Sequence, residues 1–192
     1  MPPTRARRQE LLGAAAEYLL RHGVAGLSLR PMAAAIGSSA RLLIYHFGSK
    51  ERLLIEAMGV IRLRARGEVE TMLRAAPASP DLARLVQTFW RWCTATRNRP
   101  YLRLLFEVHG LALQNPRQYS GYLQGAIVHW IDLLTAGLTP SLGRRARATA
   151  TLIVGVIDGL LMDYLSTGDL RRTSRALDVF AAHLSSKRRN NR

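Results

Sequence analysis

The chain has 192 residues, of which 48% are hydrophobic, so it can bury a sizeable core and disorder is not expected. Its formal net charge of +15 favours a polyanion such as DNA, RNA or an acidic membrane surface, without choosing among them. The single cysteine, Cys93, excludes an internal disulfide and fits a reducing, cytoplasmic compartment.

Three short helices are predicted first, and each is followed by a glycine that can end it. Serines stand at the N-cap positions of the second and third helices. Glutamates interrupt the apolar run of the first helix, so it is not expected to be a secretory signal. The three predicted helices cover residues 5–22, 29–36 and 40–47.

The second and third predicted helices, separated by GSS, have the spacing of a helix-turn-helix motif. Ala33 and Ala34 are small where these helices are expected to cross, while Leu43 and Phe47 are expected to face inward. The outer face of the third helix then carries Arg41, Leu42, Tyr45 and His46. An arginine can read guanine in a major groove, a leucine can lie against a thymine methyl, and Tyr45 and His46 can reach phosphates or base edges.

A fourth predicted helix begins at Ser49, runs to about residue 76 and leads into a larger helical body. A turn is predicted over residues 76–80, and prolines are expected to begin later segments. The later predicted helices cover residues 81–98, 100–114, 116–138, 141–167 and 172–186. The prediction is an all-α protein of about nine helices, with a helix-turn-helix domain at 1–50, a body at 51–186 and a frayed basic tail at 187–192.

The most apolar stretch, residues 148–165, is about long enough to cross a bilayer. Asp158 lies near its middle, where a carboxylate raises the free energy of membrane insertion by roughly 3 kcal/mol. We therefore expect a helix that is buried in protein, and no membrane partner.

The segment SLRPMAAAIGSSARLLIYHFGSKERLL resembles the N-terminal domain of TetR-type transcriptional regulators. The matching features are the serine-capped second helix, the sequence YHF and the SKE.LL opening of the fourth helix. The resemblance implies phosphate contacts from Ser28, Tyr45 and Lys50, and base contacts from Arg41 and Leu42. The predicted DNA-binding residues are Ser28, Arg30, Ser39, Arg41, Leu42, Tyr45, His46 and Lys50.

Two positions depart from the family pattern, and a third feature has two interpretations. Ile44 stands where an aromatic residue usually precedes YHF, which removes one phosphate contact. Leu42 replaces a usually small residue, which changes how bases would be read. The sequence TRARR at residues 4–8 is either a basic arm that contacts DNA or a solvated tail.

The body is rich in aromatic residues at helical spacing, which form either an ordinary core or the lining of a ligand cavity. The resemblance implies a pocket for a small-molecule effector, which should be apolar or aromatic and carry a hydrogen-bonding group. The candidate ligand-binding residues are Trp90, Phe106, His109, Tyr122 and His129.

Small residues recur at intervals of four along the predicted helix 141–167, and the helix 172–186 has an apolar face. These stripes pack either within one chain or against a second copy, and the resemblance implies a four-helix interface of a homodimer. The candidate interface residues are Thr151, Gly155, Gly159, Leu177, Phe180 and Leu184.

No catalytic or cofactor motif occurs in the sequence: there is no HExxH, paired CxxC, GxGxxG or Walker loop. We therefore expect no enzyme, no catalytic residue, no metal ligand and no cofactor. The prediction is a cytoplasmic, dimeric repressor that a small-molecule ligand releases from a palindromic operator in double-stranded DNA. The alternative keeps the same fold in a regulator that is constitutive or controlled by a partner protein.

Overall fold

The computed structural model describes residues 3–75 and 82–189, which form helices joined by short turns. No residue in these two ranges lies in a strand, and the all-α prediction is confirmed. The α-helices are α1 (Pro3–His22), α2 (Leu29–Ala35), α3 (Ala40–Phe47), α4 (Lys50–Arg74), α5 (Leu82–Thr94), α6 (Arg99–Gln114), α7 (Ser120–Ala126), α8 (Val128–Leu142), α9 (Ala146–Thr167) and α10 (Leu170–Arg189). Short 3₁₀ helices, Thr96–Asn98 and Gly143–Arg145, precede α6 and α9.

The chain divides into two compact units. The first consists of Met1–Ala65 and Pro100–Gln124, and the second consists of Arg66–Arg99 and Gly125–Arg192. The first unit therefore contains α1, α2, α3, the first part of α4 and almost all of α6. As a result, α6 belongs to the same unit as the predicted helix-turn-helix, although the two are far apart in sequence.

Apolar side chains on matching helix faces form the core of the first unit. Leu11, Ala15 and Leu19 recur every four residues on α1, and all three are buried. Leu43 of α3 and Leu54 of α4 are buried in the same way. Because the apolar residues follow the helical period, burying one face of each helix removes them from water together.

Small residues in α2 were expected where it crosses α3. The expectation is confirmed for Ala33, which is 2% exposed, and wrong for Ala34, which is exposed. Neighbouring residues on an α-helix point about 100° apart, so Ala34 can face solvent while Ala33 is buried. The turn after α2 passes through Gly37 at a φ of 66°, a conformation that glycine adopts without strain.

The second unit is built around α5, which packs against α10 and α9, while α8 packs along α9. Phe89 and Trp92 of α5 stack with their ring centroids 5.9 Å apart, and Trp130 of α8 packs against both rings. The Trp90 indole N–H donates a hydrogen bond of 2.9 Å to the Ser174 hydroxyl on α10. These aromatic side chains hold α5, α8 and α10 together through large packed surfaces.

The predicted helix 116–138 is two helices in the structure, since α7 ends at Ala126 and α8 begins at Val128. Ile127 lies between them in a tight turn. Its carbonyl accepts a hydrogen bond of 3.0 Å from the Trp130 N–H. Glycines at two positions in α7 weaken helix formation there, so a local break can compete with a continuous helix.

The prediction that Pro140 begins a new helix is wrong. Pro140 lies inside α8, which continues to Leu142 and ends at Gly143, where φ is 51°. Near the end of a helix a proline removes only one N–H, whereas a glycine at positive φ reverses the chain direction. The last predicted helix is also longer, because α10 reaches Arg189 and includes the start of the predicted tail. The turn predicted at 76–80 and residues 190–192 lie outside the described residues.

One segment of the described chain, Val128–Thr167, is long and apolar enough by length and composition to cross a membrane. In the structure it is not one helix, because α8 ends, a 3₁₀ turn follows and α9 packs back against α8. Burial raises the pKa of the Asp158 carboxyl within this segment from 3.8 to about 6. The segment is weak evidence for a membrane, and its helices are parts of the second unit.

Candidate nucleic-acid interface

The α3 helix is fixed at both ends by local contacts. The Ser39 hydroxyl accepts the Leu42 N–H at 3.1 Å, which satisfies one of the unpaired donors at the helix N-terminus. At the other end Gly48 has a φ of 81°, and its N–H donates to the Ile44 carbonyl at 2.7 Å. Leu43 and Phe47 are buried, as predicted, so the opposite side of α3 faces solvent.

The outer face of α3 carries a cation, an aromatic ring and an apolar side chain. Arg41 is exposed, and Tyr45 is 76% exposed. The rings of Tyr45 and His46 pack in a T-shaped arrangement, with their centroids 5.2 Å apart. Leu42 and His46 are half-buried at the margins of this face. Ile44, which is 42% exposed, also belongs to it, and its spacing of three residues from Arg41 could have revealed this.

Two of the three predicted phosphate-binding residues, Ser28 and Lys50, lie around the start of α2, whereas Tyr45 lies on α3. Ser28 is the exposed N-cap of α2, and Arg30 is exposed in the first turn of that helix. The Lys50 ammonium donates to the Leu27 carbonyl at 3.3 Å, which places it beside Ser28. The structure thus brings Lys50 to the residue that precedes Ser28, although 22 positions separate Lys50 from Ser28 in the sequence.

Residues 4–8 form the first turns of α1, and Arg5 and Arg7 are exposed there. The Arg7 guanidinium pairs with Glu10 at 3.1 Å, one helical turn along. The Arg8 guanidinium instead reaches Glu56 on α4 at 2.6 Å. The sequence Thr-Arg-Ala-Arg-Arg therefore contains arginines with different environments, which a simple count of charges does not reveal.

The five candidate ligand-binding residues are divided between the two units. Phe106, His109 and Tyr122 lie in the first unit, where the His109 and Tyr122 rings meet edge to face at 5.9 Å. Burial lowers the pKa of His109 and raises the pKa of Tyr122 to about 12. Trp90 and His129 lie in the second unit, and His129 is exposed there with its Nδ1 at 2.6 Å from the Gly125 carbonyl.

The second unit contains an open cleft of ≈ 780 Å³ beside α4 and α5. Its described lining residues are Gly67, Glu68, Thr71, Met72, Ala75, Arg91, Trp92, Ala95 and Arg97. The Glu68 carboxylate accepts the Trp92 indole N–H at 2.8 Å and lies 3.9 Å from the Arg97 guanidinium. The candidate ligand-binding residues are not in this lining, and no sequence motif marked it.

The candidate dimer residues differ in their exposure. Thr151, Gly155 and Gly159 are exposed on α9, and a Cβ added at either glycine would meet no atom of the described chain within 4 Å. Leu177, in contrast, is 1% exposed, so it packs in the core of the second unit and is not open to a partner. Phe180 and Leu184 are half-buried on α10.

Three further apolar side chains on these two helices are exposed, and none of them was predicted as an interface residue. Leu152, Met162 and Val179 are 53%, 56% and 60% exposed on α9 and α10. Because α9 is apolar on almost every side, its sequence gives no period that distinguishes the outer face from the buried one.

A metal site in a protein needs several ligand side chains close together. Among the described residues, no three His, Cys, Asp or Glu side chains are grouped closely enough to hold a metal ion. Cys93 is buried, and burial followed by the charge of Asp158 raises the pKa of its thiol well above the usual value. A protonated, inaccessible thiol is a poor nucleophile and a poor metal ligand.

The two short helices α2 and α3, the turn between them and the exposed face of α3 define an all-α helix-turn-helix protein. Residues 11–57 match the family model for bacterial regulatory proteins of the tetR family. The resemblance to the TetR family of transcriptional regulators is therefore confirmed, and it includes the whole of α2 and α3. No curated protein sequence matches the chain.

Solved structures with the same fold include regulators from different bacteria. A transcriptional regulator from Rhodococcus sp. Rha1 is 18% identical, with a TM-score of 0.72 over 94% of this chain and 96% of that one. GusR of Salmonella enterica is 19% identical, with a TM-score of 0.70 over 97% of this chain and 98% of its own. The multidrug binding protein EbrR, complexed with imidazole, is 24% identical, with a TM-score of 0.73 over 96% and 93%. At these identities the likeness establishes the fold.

Proposed function

We propose that the chain is a cytoplasmic transcriptional repressor that binds a palindromic operator in double-stranded DNA as a homodimer and is released by a small-molecule ligand. The observation that carries this proposal is the exposed face of α3, where Arg41 and Tyr45 point to solvent on a helix capped at both ends. The proposed activity is binding, and it requires no catalytic group.

The DNA-binding part of the proposal assigns different contacts to α3 and to the start of α2. Arg41 lies in the first turn of α3, the part of a recognition helix that reaches base edges in the major groove. Ser28 and Lys50 lie together at the N-terminus of α2, where a phosphate would meet a hydroxyl, an ammonium group and a helix N-terminus. Bases would then be read by α3 while α2 fixes the register.

The proposed homodimer interface is the exposed surface of α9. It is formed by Thr151, Leu152, Gly155, Gly159 and Met162. Exposed glycines allow a second helix to approach closely, and the flanking apolar side chains would lose their contact with water there. A twofold axis would present two copies of α3 to half-sites about 34–36 Å apart, which explains why a palindromic operator is expected.

The ligand part rests on α6, which combines two kinds of contact within the first unit. On α6 the ring of His109 meets Tyr122, whose hydroxyl donates to the Leu105 carbonyl at 3.4 Å. Glu107, also on α6, accepts the Val24 N–H of the turn between α1 and α2 at 2.8 Å. A ligand that displaced α6 would therefore also displace the turn between α1 and α2, and this would change the affinity for DNA.

The structures of EbrR in complex with imidazole and with proflavin support an aromatic ligand with hydrogen-bonding groups for this fold. We propose that the ligand of this chain lies against Phe106, His109 and Tyr122. Trp90 and His129 stay candidates, but they lie in the other unit.

The DNA proposal is tested by mapping the sites that the tagged chain occupies in its own genome and measuring binding to them by fluorescence anisotropy. We expect saturable binding to a few palindromes, with dissociation constants of about 10⁻⁸ M or below. Uniform coating of DNA without a preferred sequence would contradict the proposal.

The ligand proposal is tested by titrating a compound library against the complex of the chain with its mapped operator. A compound that releases the DNA should lose its effect in His109→Ala and keep it in His129→Ala, which serves as the matched control in the second unit. If no compound changes the DNA affinity, the alternative of a constitutive or protein-controlled regulator is favoured.

A further inference from the structure

Three helices of the first unit meet at one guanidinium group, that of Arg8. Its Nη2 donates to both carboxylate oxygens of Glu56 on α4, at 2.6 and 2.8 Å. Its Nε donates to the carbonyl of His46 on α3 at 3.1 Å, and its central carbon lies 4.7 Å from the centre of the Phe47 ring. We call Arg8, Glu56, His46 and Phe47 the Arg8 cluster.

The contact with His46 is made at the C-terminus of α3, where helix carbonyls lack partners within the helix. A positive charge is favourable there because the partial charge of the helix end is negative. Ser39 provides the local contact at the N-terminus of α3, and Arg8 provides a long-range contact at its C-terminus. The local cap fixes where the helix begins, whereas Arg8 ties it to α1 and α4.

The environment of Arg8 differs from that of a cation that binds a phosphate. Its side chain is 36% exposed, its charge is balanced by Glu56, and its Nε and Nη2 already donate to protein acceptors. We propose that Arg8, oriented by Glu56, is a positioning residue that fixes α3 relative to α1 and α4 and thereby sets the sequence specificity of DNA binding. The inference rests on the proposed DNA-binding function and adds residues that do not touch the operator.

The planar guanidinium group of Arg8 is essential for positioning α3. A guanidinium can donate to a carboxylate with one edge and to a carbonyl with another while its plane lies against a ring. A lysine keeps the charge but offers a single ammonium group, so Arg8→Lys should not restore the cluster. For a phosphate contact, in contrast, lysine would be an adequate substitute.

The chain also offers a matched control for the cluster. Arg64 of α4 pairs with Glu17 of α1, so it joins the same two helices without touching α3. Glu17→Gln and Glu56→Gln each remove one negative charge and one ion pair between α1 and α4. Any difference between these two variants therefore reports the contact with α3 rather than a change of net charge.

The experiment measures binding of the full chain and its variants to the mapped operator and to a scrambled duplex over a salt series. We expect Glu56→Gln, Arg8→Gln and Arg8→Lys to weaken operator binding about tenfold, as when one base contact is lost, with little change for the scrambled duplex. Glu17→Gln should leave the ratio of the two affinities unchanged. The slope of log K against log [salt] should stay at the wild-type value in Arg8→Gln.

Hydrogen exchange of the same variants without DNA gives a second, independent measurement. Backbone amides of residues 40–48 should exchange faster in Glu56→Gln than in Glu17→Gln, while thermal unfolding shows that both variants are folded. Equal exchange in the two variants would overturn the inference even if the chain bound no operator.

Two binding results would also overturn it. If Glu56→Gln tightens binding to both duplexes alike, Glu56 only repels DNA. If Arg8→Gln flattens the salt slope by about two and Arg8→Lys restores it, Arg8 is a phosphate contact. A wild-type chain that does not prefer its mapped site would instead contradict the proposed function, and the exchange measurement would still decide the role of Arg8.

Discussion

The exposed faces of α3 and α9 present opposite chemistry to solvent. On α3 the exposed side chains are long and polar or aromatic, as in Arg41 and Tyr45. On α9 the centre of the face has almost no side chain, because Gly155 and Gly159 stand one turn apart with open space above them. One face can reach into a groove, whereas the other can only be approached closely.

This difference determines how each face should respond to solution conditions. Contacts between cations and DNA phosphates weaken steeply with salt, because bound counterions are released when the complex forms. Contact between small and apolar helix faces depends on shape and on burial from water, so salt has little effect on it. The comparison therefore predicts salt-sensitive DNA binding by a dimer whose assembly is not salt-sensitive.

The largest effect should come from closing the open face of α9. In Gly155→Leu the new side chain would keep two copies of α9 apart, and the twofold axis repeats the change in both copies. Overpacking costs about 1–3 kcal/mol at each site, so we expect the dimer to be weakened by about 2–6 kcal/mol. Sedimentation equilibrium at low and high salt measures this.

Gly110→Leu is the control for that variant, because Gly110 is also exposed on a helix with no described atom within 4 Å of an added Cβ. It should leave the dimer intact. A wild-type chain that is monomeric at micromolar concentration, or a Gly155→Leu dimer of unchanged strength, would show that the α9 face is not an interface.

The buried side of α9 should respond to pH, unlike its outer face. Burial raises the pKa of Asp158 from 3.8 to about 6, so the folded chain binds this proton more tightly than the unfolded chain. The stability from this group is complete below pH 3.8 and is lost as the pH rises through about 6. Cys93, which faces Asp158 from α5, stays protonated because its own pKa is raised.

We therefore expect Asp158→Asn to be more stable than the wild type by up to about 3 kcal/mol above pH 7, with no difference near pH 4. Thermal unfolding across this range measures the difference. Asp163→Asn is the control. The hydrogen bond from Arg172 lowers the pKa of Asp163, so this substitution should reduce stability above pH 7 rather than raise it. A constant difference between Asp158→Asn and the wild type at all pH values would contradict the prediction.

On α3, removal of Arg41 should separate base reading from phosphate binding. Arg41→Ala should cost about 1–3 kcal/mol on the operator and relax the preference at one base pair in each half-site. Binding to a scrambled duplex is the control and should change little. If both duplexes are weakened equally, Arg41 only anchors the protein and the base-reading face lies elsewhere.

The smallest effect should come from Lys50, which lies beside Ser28 at the start of α2. Lys50→Ala should weaken operator and scrambled DNA alike and flatten the slope of log K against log [salt] by about two in the dimer. The same salt series on Gly110→Leu provides an unchanged slope for comparison. A loss confined to the operator would mean that Lys50 contributes to sequence reading.

Local sequence signals correctly predicted the ends and the buried side of α3. Ser39 and Gly48 fix the ends of α3 through contacts within a few residues, and Leu43 and Phe47 share one face by helical spacing alone. Signals of this kind fail where several structures are locally possible. The helix breaks at Ile127, where the sequence predicted a continuous helix, and α8 ends at Gly143 rather than before Pro140.

The sequence by itself determined the helical class, the capped ends of α3 and the inward side of α3, because caps and periodicity act over distances of a few residues. Only the tertiary structure decided that Arg8 meets Glu56, 48 residues away, and that Glu107 meets the Val24 N–H, 83 residues away. It also decided that Leu177 is core while Val179 is exposed. Such choices depend on which helices pack together, and contacts between distant residues leave no period in a single sequence.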